Sequence, residues 1–365
     1  MKAKHSGVLG LFPYFGPDAI GGAQASAKIA WNALTEHAEG LATLFSYKGG
    51  EGGYTSNGNS NESQDPETFV INSKIDAIYT AIGRRWPHNL VFVWHLGLLR
   101  LLPFFRLSQE RVVLMLLGVE AWKEQSWLTR KQLEKVDLFL SISNHTWSNF
   151  VSFNRQYENK PHQTVLLGIG TPAEAPSGPT GRTPAALMLG RLSKTEDYKG
   201  HREIIDAWPR VLQLIPDAEL WIAGDGDLRN VLEQLVIEHG LVEKVRFWGQ
   251  VTEKVKQDLL QQCRCLLMPS RSEGFGLVYL EAMRVGRPCL VSTLDAGREV
   301  VNPPEAGLAA DPDNREEVAG GICRLLGDGP EWQRWSEQAR RRYEANYTTP
   351  HYQQRLLAAL FPGQR

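Results

Sequence analysis

The sequence has no surplus of charge of either sign: 40 lysines and arginines stand against 41 aspartates and glutamates, a net charge of -1 over 365 residues. Proteins that hold duplex nucleic acid carry a basic excess to meet the phosphates, so nucleic acid is not an expected partner. No uninterrupted apolar run reaches the roughly 18 residues that a membrane-crossing helix needs. The segment from Met1 to Gly22 starts basic and then turns apolar, but Pro13, Pro17 and Asp18 break the run and no small-residue cleavage site follows. It reads as a first strand and not as a signal peptide. Cysteine is scarce. Cys263, Cys265, Cys289 and Cys323 all lie in the second half, in or beside apolar segments, and the first two have the wrong spacing for a CxxC site. They read as buried free thiols in a reducing cytoplasm. No repeat of short period is visible.

What is present is ordinary for a globular protein, with 42% hydrophobic and 22% charged residues. The length suits two domains. Short β-rich runs alternate with longer helical stretches, the pattern of parallel α/β sheets. In the first half SGVLGLFPY, LATLFSY, LVFVW, RVVLMLL and DLFLSIS read as strands, and AQASAKIAWNALTEH as a helix. Residues 49–66, rich in Gly, Asn and Ser, read as a long loop, either functional or a tolerated insertion. Residues 168–184, rich in Pro and Gly, read as a linker. The alternation then restarts with AALMLGRL, AELWIAG, VRFWG, CLLMPS and PCLVS. The expected domains are residues 1–167 and 185–345, with a last helical segment at 346–365 that packs back on the first domain. Two such halves would leave a cleft, and ligands of parallel sheets sit at the carboxyl ends of the strands.

Several segments carry candidate chemistry. From Met268 to Ser292 a strand ends, a loop presents Glu273, Gly274, Phe275 and Gly276, and a helix opens near Gly276 with Glu281 in its second turn. Glycines let backbone N–H groups approach a ligand, and a helix N-terminus favours phosphate. Glu273 suits either sugar hydroxyls or the helix dipole. Glu281 suits either a ligand or an exposed helix face. From Leu189 to Ile205 a strand ends in Gly190-Arg191 and a loop leads to Lys199-Gly200. Two cations so placed would neutralise a diphosphate and the charge developing on a leaving group. The GxG at Gly224 to Gly226 and the Gly21-Gly22 turn before the first helix are further loop candidates, each a weak signal alone.

Together these segments resemble the retaining glycosyltransferases of family 4. The resemblance rests on the Gly21-Gly22 turn, GRL with KG at Gly190–Leu192 and Lys199–Gly200, AGDG at Ala223–Gly226 and FWGQV at Phe247–Val251. It rests also on the E-x7-E element from Glu273 to Glu281 and on GREVV at Gly297–Val301. It implies the GT-B fold, an α/β architecture of two Rossmann-like domains facing across a cleft. It implies that Arg191 and Lys199 hold the donor diphosphate, that Glu273 contacts the transferred sugar and that Glu281 contacts the ribose. The backbone from Gly274 to Leu277 would lie against sugar and phosphate. A nucleoside diphosphate sugar is the implied co-substrate, with no metal and no other cofactor; a glycan or a lipid-linked molecule is the implied acceptor.

The first half departs from that pattern at one place. In LLGVEAW, from Leu116 to Trp122, Leu117 stands where the resemblance implies a histidine near the reacting centre, while Gly118, Glu120 and Trp122 keep the rest. A catalytically silent protein that binds a nucleotide sugar is therefore the alternative. His95, after LVFVW, reads either as facing the cleft or, the better reading, as a helix-start histidine with a structural hydrogen bond. Residues 84–111 are rich in arginine, aromatics and leucine. They read either as core with arginines reaching water or as an interfacial patch for an anionic bilayer at the inner face.

Overall fold

The structure, a computed structural model, describes residues 7–15, 21–38, 42–47, 67–71, 73–83, 86, 88–107, 110–173, 178, 181 and 183–363. The loop expected at 49–66 lies outside them. The chain forms two compact units, residues 1–168 with 349–365, and residues 169–348.

In unit 1 the alternation runs β1 (Val8–Pro13), α1 (Gly22–His37), β2 (Ala42–Tyr47), β3 (Glu67–Ile71), α2 (Lys74–Ile82), β4 (Leu90–Val93), β5 (Arg111–Leu116), α3 (Trp127–Leu133), β6 (Leu138–Ser141), α4 (Asn144–Phe153) and β7 (His162–Thr164). The seven strands pair in the order β3-β2-β1-β4-β5-β6-β7, and every pairing is parallel. Strands β4 and β6 are buried along their whole length, as continuous apolar runs must be when helices cover both faces of a sheet. Ser73, Ser126 and Ser143 start α2, α3 and α4, each accepting a backbone N–H three residues on.

In unit 2 the elements are β8 (Ala185–Leu189), α5 (His201–Leu214), β9 (Glu219–Ala223), α6 (Arg229–Glu238), β10 (Val245–Gly249), α7 (Glu253–Gln262), β11 (Cys265–Met268), α8 (Leu277–Arg284), β12 (Cys289–Ser292), α9 (Gly297–Val301), β13 (Gly307–Ala310), α10 (Arg315–Leu326) and α11 (Pro330–Asn346). The order β10-β9-β8-β11-β12-β13 is again parallel. The last helix, α12 (Thr349–Leu360), belongs to unit 1, where it packs on α1. Arg111 Nη1 donates to the Leu360 carbonyl at 2.8 Å, and the His37 and Phe361 rings meet at 4.3 Å.

Residues that sequence reading assigned to a linker are in part fixed to unit 2. Ile169 N–H donates to Tyr347 O (2.9 Å), Tyr343 Oη to Ile169 O (2.6 Å), Arg284 Nε to Thr171 O (2.7 Å) and Arg340 Nη2 to Ala173 O (3.0 Å). All four cysteines are free. Cys263, Cys265 and Cys289 are buried, while Cys323 is partly exposed, which corrects the expectation of four buried thiols. Among the described residues no helix is long and apolar enough to cross a membrane.

Each strand order reverses direction once, between β1 and β4 in unit 1 and between β8 and β11 in unit 2. Ligands of open parallel sheets bind at the carboxyl ends of the strands where that reversal opens a crevice. In unit 2 those ends lead into Gly190-Arg191 and into the Glu273 loop. In unit 1 they lead toward the Gly21 turn and His95.

Candidate active site

Arg191 is set by a backbone cradle. At the end of β9, Gly224 (φ +147°) and Gly226 (φ +150°) lie against the segment that follows β8. A Cβ on Gly224 would fall 1.8 Å from the Gly190 carbonyl oxygen, and one on Gly226 2.2 Å from that of Leu192. Gly190 N–H donates to Ala223 O and Leu192 N–H to Asp225 O, both at 3.0 Å. Gly224, expected to face a ligand, is packed closely against the Gly190 carbonyl.

Lys199 ends a short 3-10 turn, Lys194–Lys199, which Ser193 caps. Gly200 (φ +87°) follows, and a Cβ there would meet the Pro269 carbonyl at 2.8 Å. Arg271 N–H donates to Tyr198 O at 2.9 Å. These two contacts hold the Lys199 turn against the loop between β11 and α8. The two expected cations are not unpaired. Glu196 bridges them, taking Arg191 Nη2 on one oxygen and Lys199 Nζ on the other at 2.6 Å.

The Glu273 loop is anchored from beneath by Asp295. Its buried carboxylate accepts the N–H of Glu273 (3.1 Å) on one oxygen and that of Gly297 (2.9 Å) on the other. Glu273 itself is half-buried, and its carboxylate takes backbone N–H groups of Phe275 and Gly276. Burial pushes its pKa up, and the Lys199 ammonium opposes that rise. Gly274, Phe275 and Gly276 are buried and Leu277 is partly exposed. Gly276 (φ +83°) opens α8, where a Cβ would strike the Tyr279 ring at 2.3 Å. Tyr279 Oη donates to Met268 O at 2.8 Å, locking α8 to the end of β11.

Glu281 lies on α8 beside a cavity of about 180 Å³, lined in part by Gly170, Lys256 and Arg284. It is not on an open helix face: Lys256 Nζ, from α7, donates to it at 2.6 Å and reaches Glu253 at 2.8 Å. Burial alone would lower the Lys256 pKa; Glu281 and Glu253 outweigh it and raise it. Among the described residues no group of three or more His, Cys, Asp or Glu is placed to hold a metal ion.

Residues 173–342 match the family described as Glycosyl transferases group 1. The match spans a little under half of the chain. Within the matched segment lie Arg191, Lys199, Glu273 and Glu281. An uncharacterized glycosyltransferase of Methanocaldococcus jannaschii is 36% identical over 142 residues, covering 39% of this chain and 35% of its own length. A phosphatidyl-myo-inositol mannosyltransferase of Mycobacterium leprae is 35% identical over 141 residues, covering 38% and 36%. The chain thus spans about a third of the length of these curated relatives. The fold extends further. HepE of Anabaena, solved with UDP and glucose, superposes with a TM-score of 0.73 at 17% identity, over 98% of this chain and all of that one. Sucrose-phosphate synthase of Thermosynechococcus elongatus gives 0.73 at 18% identity, over 96% and 97%. The two Rossmann-like units are those of the GT-B architecture.

Outside the matched segment, unit 1 offers fewer candidates. Gly21 (φ +137°) is exposed and precedes α1, which Gly22 begins. Glu120 accepts the N–H of Leu117 (2.8 Å) and of Gly118 (3.2 Å) on one oxygen, so it shapes the turn after β5. His95 Nδ1 accepts Gly97 N–H at 2.9 Å at the start of a 3-10 helix, Leu96–Phe104. That helix sends Leu96, Leu98, Leu99 and Leu102 into the unit 1 core, with Phe105 after it, while Arg100 and Arg106 are exposed. The apolar surplus read in residues 84–111 is therefore largely core.

Three residues of the site escaped sequence reading: Glu196, Lys256 and Asp295. Asp295 has a measurable signature. Burial pushes its pKa up to about 7, helped by the Glu273 charge and opposed by the Gly297 and Glu273 N–H groups. The folded state keeps this proton between about pH 4 and 7 while the unfolded chain loses it, so the contribution is present at low pH and is lost as pH rises through 7. His201 and His162, both lowered to about 4, act in the opposite sense over much of that window. The comparison is accordingly with Asp295→Asn. We expect the stability difference in favour of wild type to shrink steadily from pH 4 to 7, by on the order of 4 kcal/mol at most. A difference that is flat across that window in denaturant titrations would contradict it.

Proposed function

We propose that the chain is a retaining glycosyltransferase that moves a sugar from a nucleoside diphosphate sugar to an acceptor hydroxyl, in polysaccharide or glycolipid synthesis. The observation that carries this reading is the docking of the Lys199 turn on the Glu273 loop, through Gly200 on Pro269 and Arg271 on Tyr198. It joins two cations to a half-buried carboxylate at the strand-order reversal of unit 2. Arg191 and Lys199 hold the diphosphate and stabilise the charge that develops on it. Glu273 holds the transferred sugar and Glu281 the ribose hydroxyls. Gly274 to Leu277 pass along sugar and phosphate, and Gly21 and Gly22 are the loop candidates within unit 1. The departing phosphate oxygen takes the acceptor's proton, so no side-chain base and no metal is required.

Calorimetric titration of a panel of nucleoside diphosphates tests the donor site. Lys199→Ala is expected to weaken binding by on the order of 2–4 kcal/mol, the cost of a lost charge-assisted contact in a shielded site, and Arg191→Ala, whose side chain is largely exposed, by about 1 kcal/mol. Chelator is expected to leave binding and turnover unchanged. Activity lost in chelator and restored by a divalent metal would overturn the metal-free assignment. Leu117 favours a second reading, a silent protein that binds a nucleotide sugar. Donor turnover above that of the Arg191→Ala variant excludes it.

For the acceptor we propose a glycan or a lipid-linked molecule met by peripheral contact at the inner face of an anionic membrane, in the cytoplasm. Exposed Arg100 and Arg106 support this, as do Ile75 and Tyr79 on the open side of α2, which packs on the same 3-10 helix. Each basic residue near such a surface adds about 1 kcal/mol. The protein is expected to sediment with anionic liposomes at low salt, and the double change Arg100→Glu with Arg106→Glu to release it. Protein left in the supernatant would make a soluble acceptor the better assignment.

A further inference from the structure

The pair of cations assigned to the donor diphosphate is already bridged from within the chain. Glu196 sits at a kink in the 3-10 turn, with φ -120° and ψ 23°, and divides its two oxygens between Arg191 and Lys199. Its side chain is 17% exposed and that of Lys199 16%, whereas Arg191 is 69% exposed. Burial would push the Glu196 carboxyl up, but the hydrogen bonds from Lys199 and Arg191 outweigh it and hold it below its ordinary value, ionised. One carboxylate with an oxygen on each cation imitates the way two phosphate oxygens would engage them. The exposure of the three partners differs. Gly200 is wedged on the Pro269 carbonyl and fixes the base of Lys199. The Arg191 side chain is mostly in water, where an ion pair exchanges at little cost.

We propose that Glu196 is an internal counterion of the donor site, occupying the diphosphate clamp when it is empty, yielding the cations to the incoming diphosphate and taking them back as the nucleotide leaves. The proposal rests on the reading of Arg191 and Lys199 as that clamp. Its consequence has the opposite sign to theirs. Removing a clamp cation weakens anion binding, whereas removing the Glu196 charge leaves two unopposed cations and strengthens it. A residue that only orients the cations would, on removal, weaken binding.

The test uses the full chain and inorganic pyrophosphate, a probe that carries the diphosphate without base or sugar. Calorimetric titration is done on wild type, Glu196→Gln, Glu196→Asp, Arg191→Ala, Lys199→Ala and the double variant Glu196→Gln with Arg191→Ala, at low and high salt. Glu196→Gln is expected to bind pyrophosphate about tenfold more tightly than wild type, with a steeper loss of affinity in salt. In the Arg191→Ala background the gain from Glu196→Gln is expected to shrink severalfold. Glu196→Asp keeps the charge on a stem too short to span both cations, and is expected to bind more tightly than wild type by a smaller factor; it decides the matter if Glu196→Gln does not fold. Binding by Glu196→Gln, or by Glu196→Asp in its place, no tighter than wild type while Arg191→Ala weakens it overturns the counterion role and leaves the clamp standing. Binding unchanged in both Arg191→Ala and Lys199→Ala overturns the clamp itself.

Discussion

Replacing Glu273 with alanine is expected to cut sugar transfer at least about 100-fold while the chain stays folded and keeps its affinity for nucleoside diphosphate. The side chain leaves a loop, not a core. The loop's main anchors are backbone groups: Glu273 N–H on Asp295 and the Glu273 carbonyl on Ala296 N–H at 3.2 Å, and neither needs the side chain. What is lost structurally is an acceptor for the Phe275 and Gly276 N–H groups, about 1 kcal/mol where water can replace it. Electrostatically the change removes an anion that faces Lys199, so a bound diphosphate loses nothing and its affinity is expected to hold or rise. The loss must then fall on the sugar and on the transition state. Single-turnover rates, circular dichroism and nucleotide titration on one preparation separate these effects. Turnover within about twofold of wild type would remove Glu273 from the sugar site.

The same contrast between chain-local and distant partners explains how much of the molecule was legible in advance. Apolar runs announced β1, β2, β4, β5 and β6, and five of the six strands of unit 2, because burial on both faces leaves a signal in each strand itself; the edge strand β10 is the exception, with Arg246 exposed and Phe247 and Trp248 partly so. Three strands were missed. In β3, ETFVI begins polar and is only partly buried. In β7, HQT is three polar residues. In β13, GLAA is short and small-sided, with Gly307 packed on the Cys289 backbone. The site divides likewise. Arg191, Lys199, Glu273 and Glu281 belong to compact motifs and are visible in the sequence. Asp295 meets Glu273 across 22 residues and Lys256 meets Glu281 across 25, and no local pattern announces either pairing. Glu196, three residues before Lys199, looks like any surface acid until the turn folds it inward. In residues 84–111 the core reading holds for the apolar side chains: their content exceeds what a surface helix needs because the 3-10 helix packs on β1, β4 and β5 and buries its leucines.

Gly224→Ala is expected to be the most damaging substitution of a small residue, and to act through the fold. The new Cβ would sit 1.8 Å from the Gly190 carbonyl oxygen, and φ +147° is one that an L side chain rarely adopts. Nothing nearby can yield. Gly190 N–H is bonded to Ala223 O, and Gly224 N–H to Gly249 O at 2.8 Å. Strands β8 and β9 are interior members of the six-stranded sheet. The backbone must therefore shift where Arg191 leaves β8, at a cost of roughly 3–5 kcal/mol, a large part of the 5–15 kcal/mol that stabilises a typical domain. The variant is expected to melt many degrees below wild type or to be recovered unfolded, and any folded fraction is expected to bind pyrophosphate weakly because Arg191 is displaced. Gly320→Ala is the matched control. Gly320 lies inside α10 with nothing within 4 Å of an added Cβ, so alanine there is expected to stabilise by about 0.5–1 kcal/mol. Melting of Gly224→Ala within roughly 2 °C of wild type would mean that the cradle gives way at little cost. The position of Arg191 would then have to be held by the Glu196 ion pair and not by the backbone beneath it.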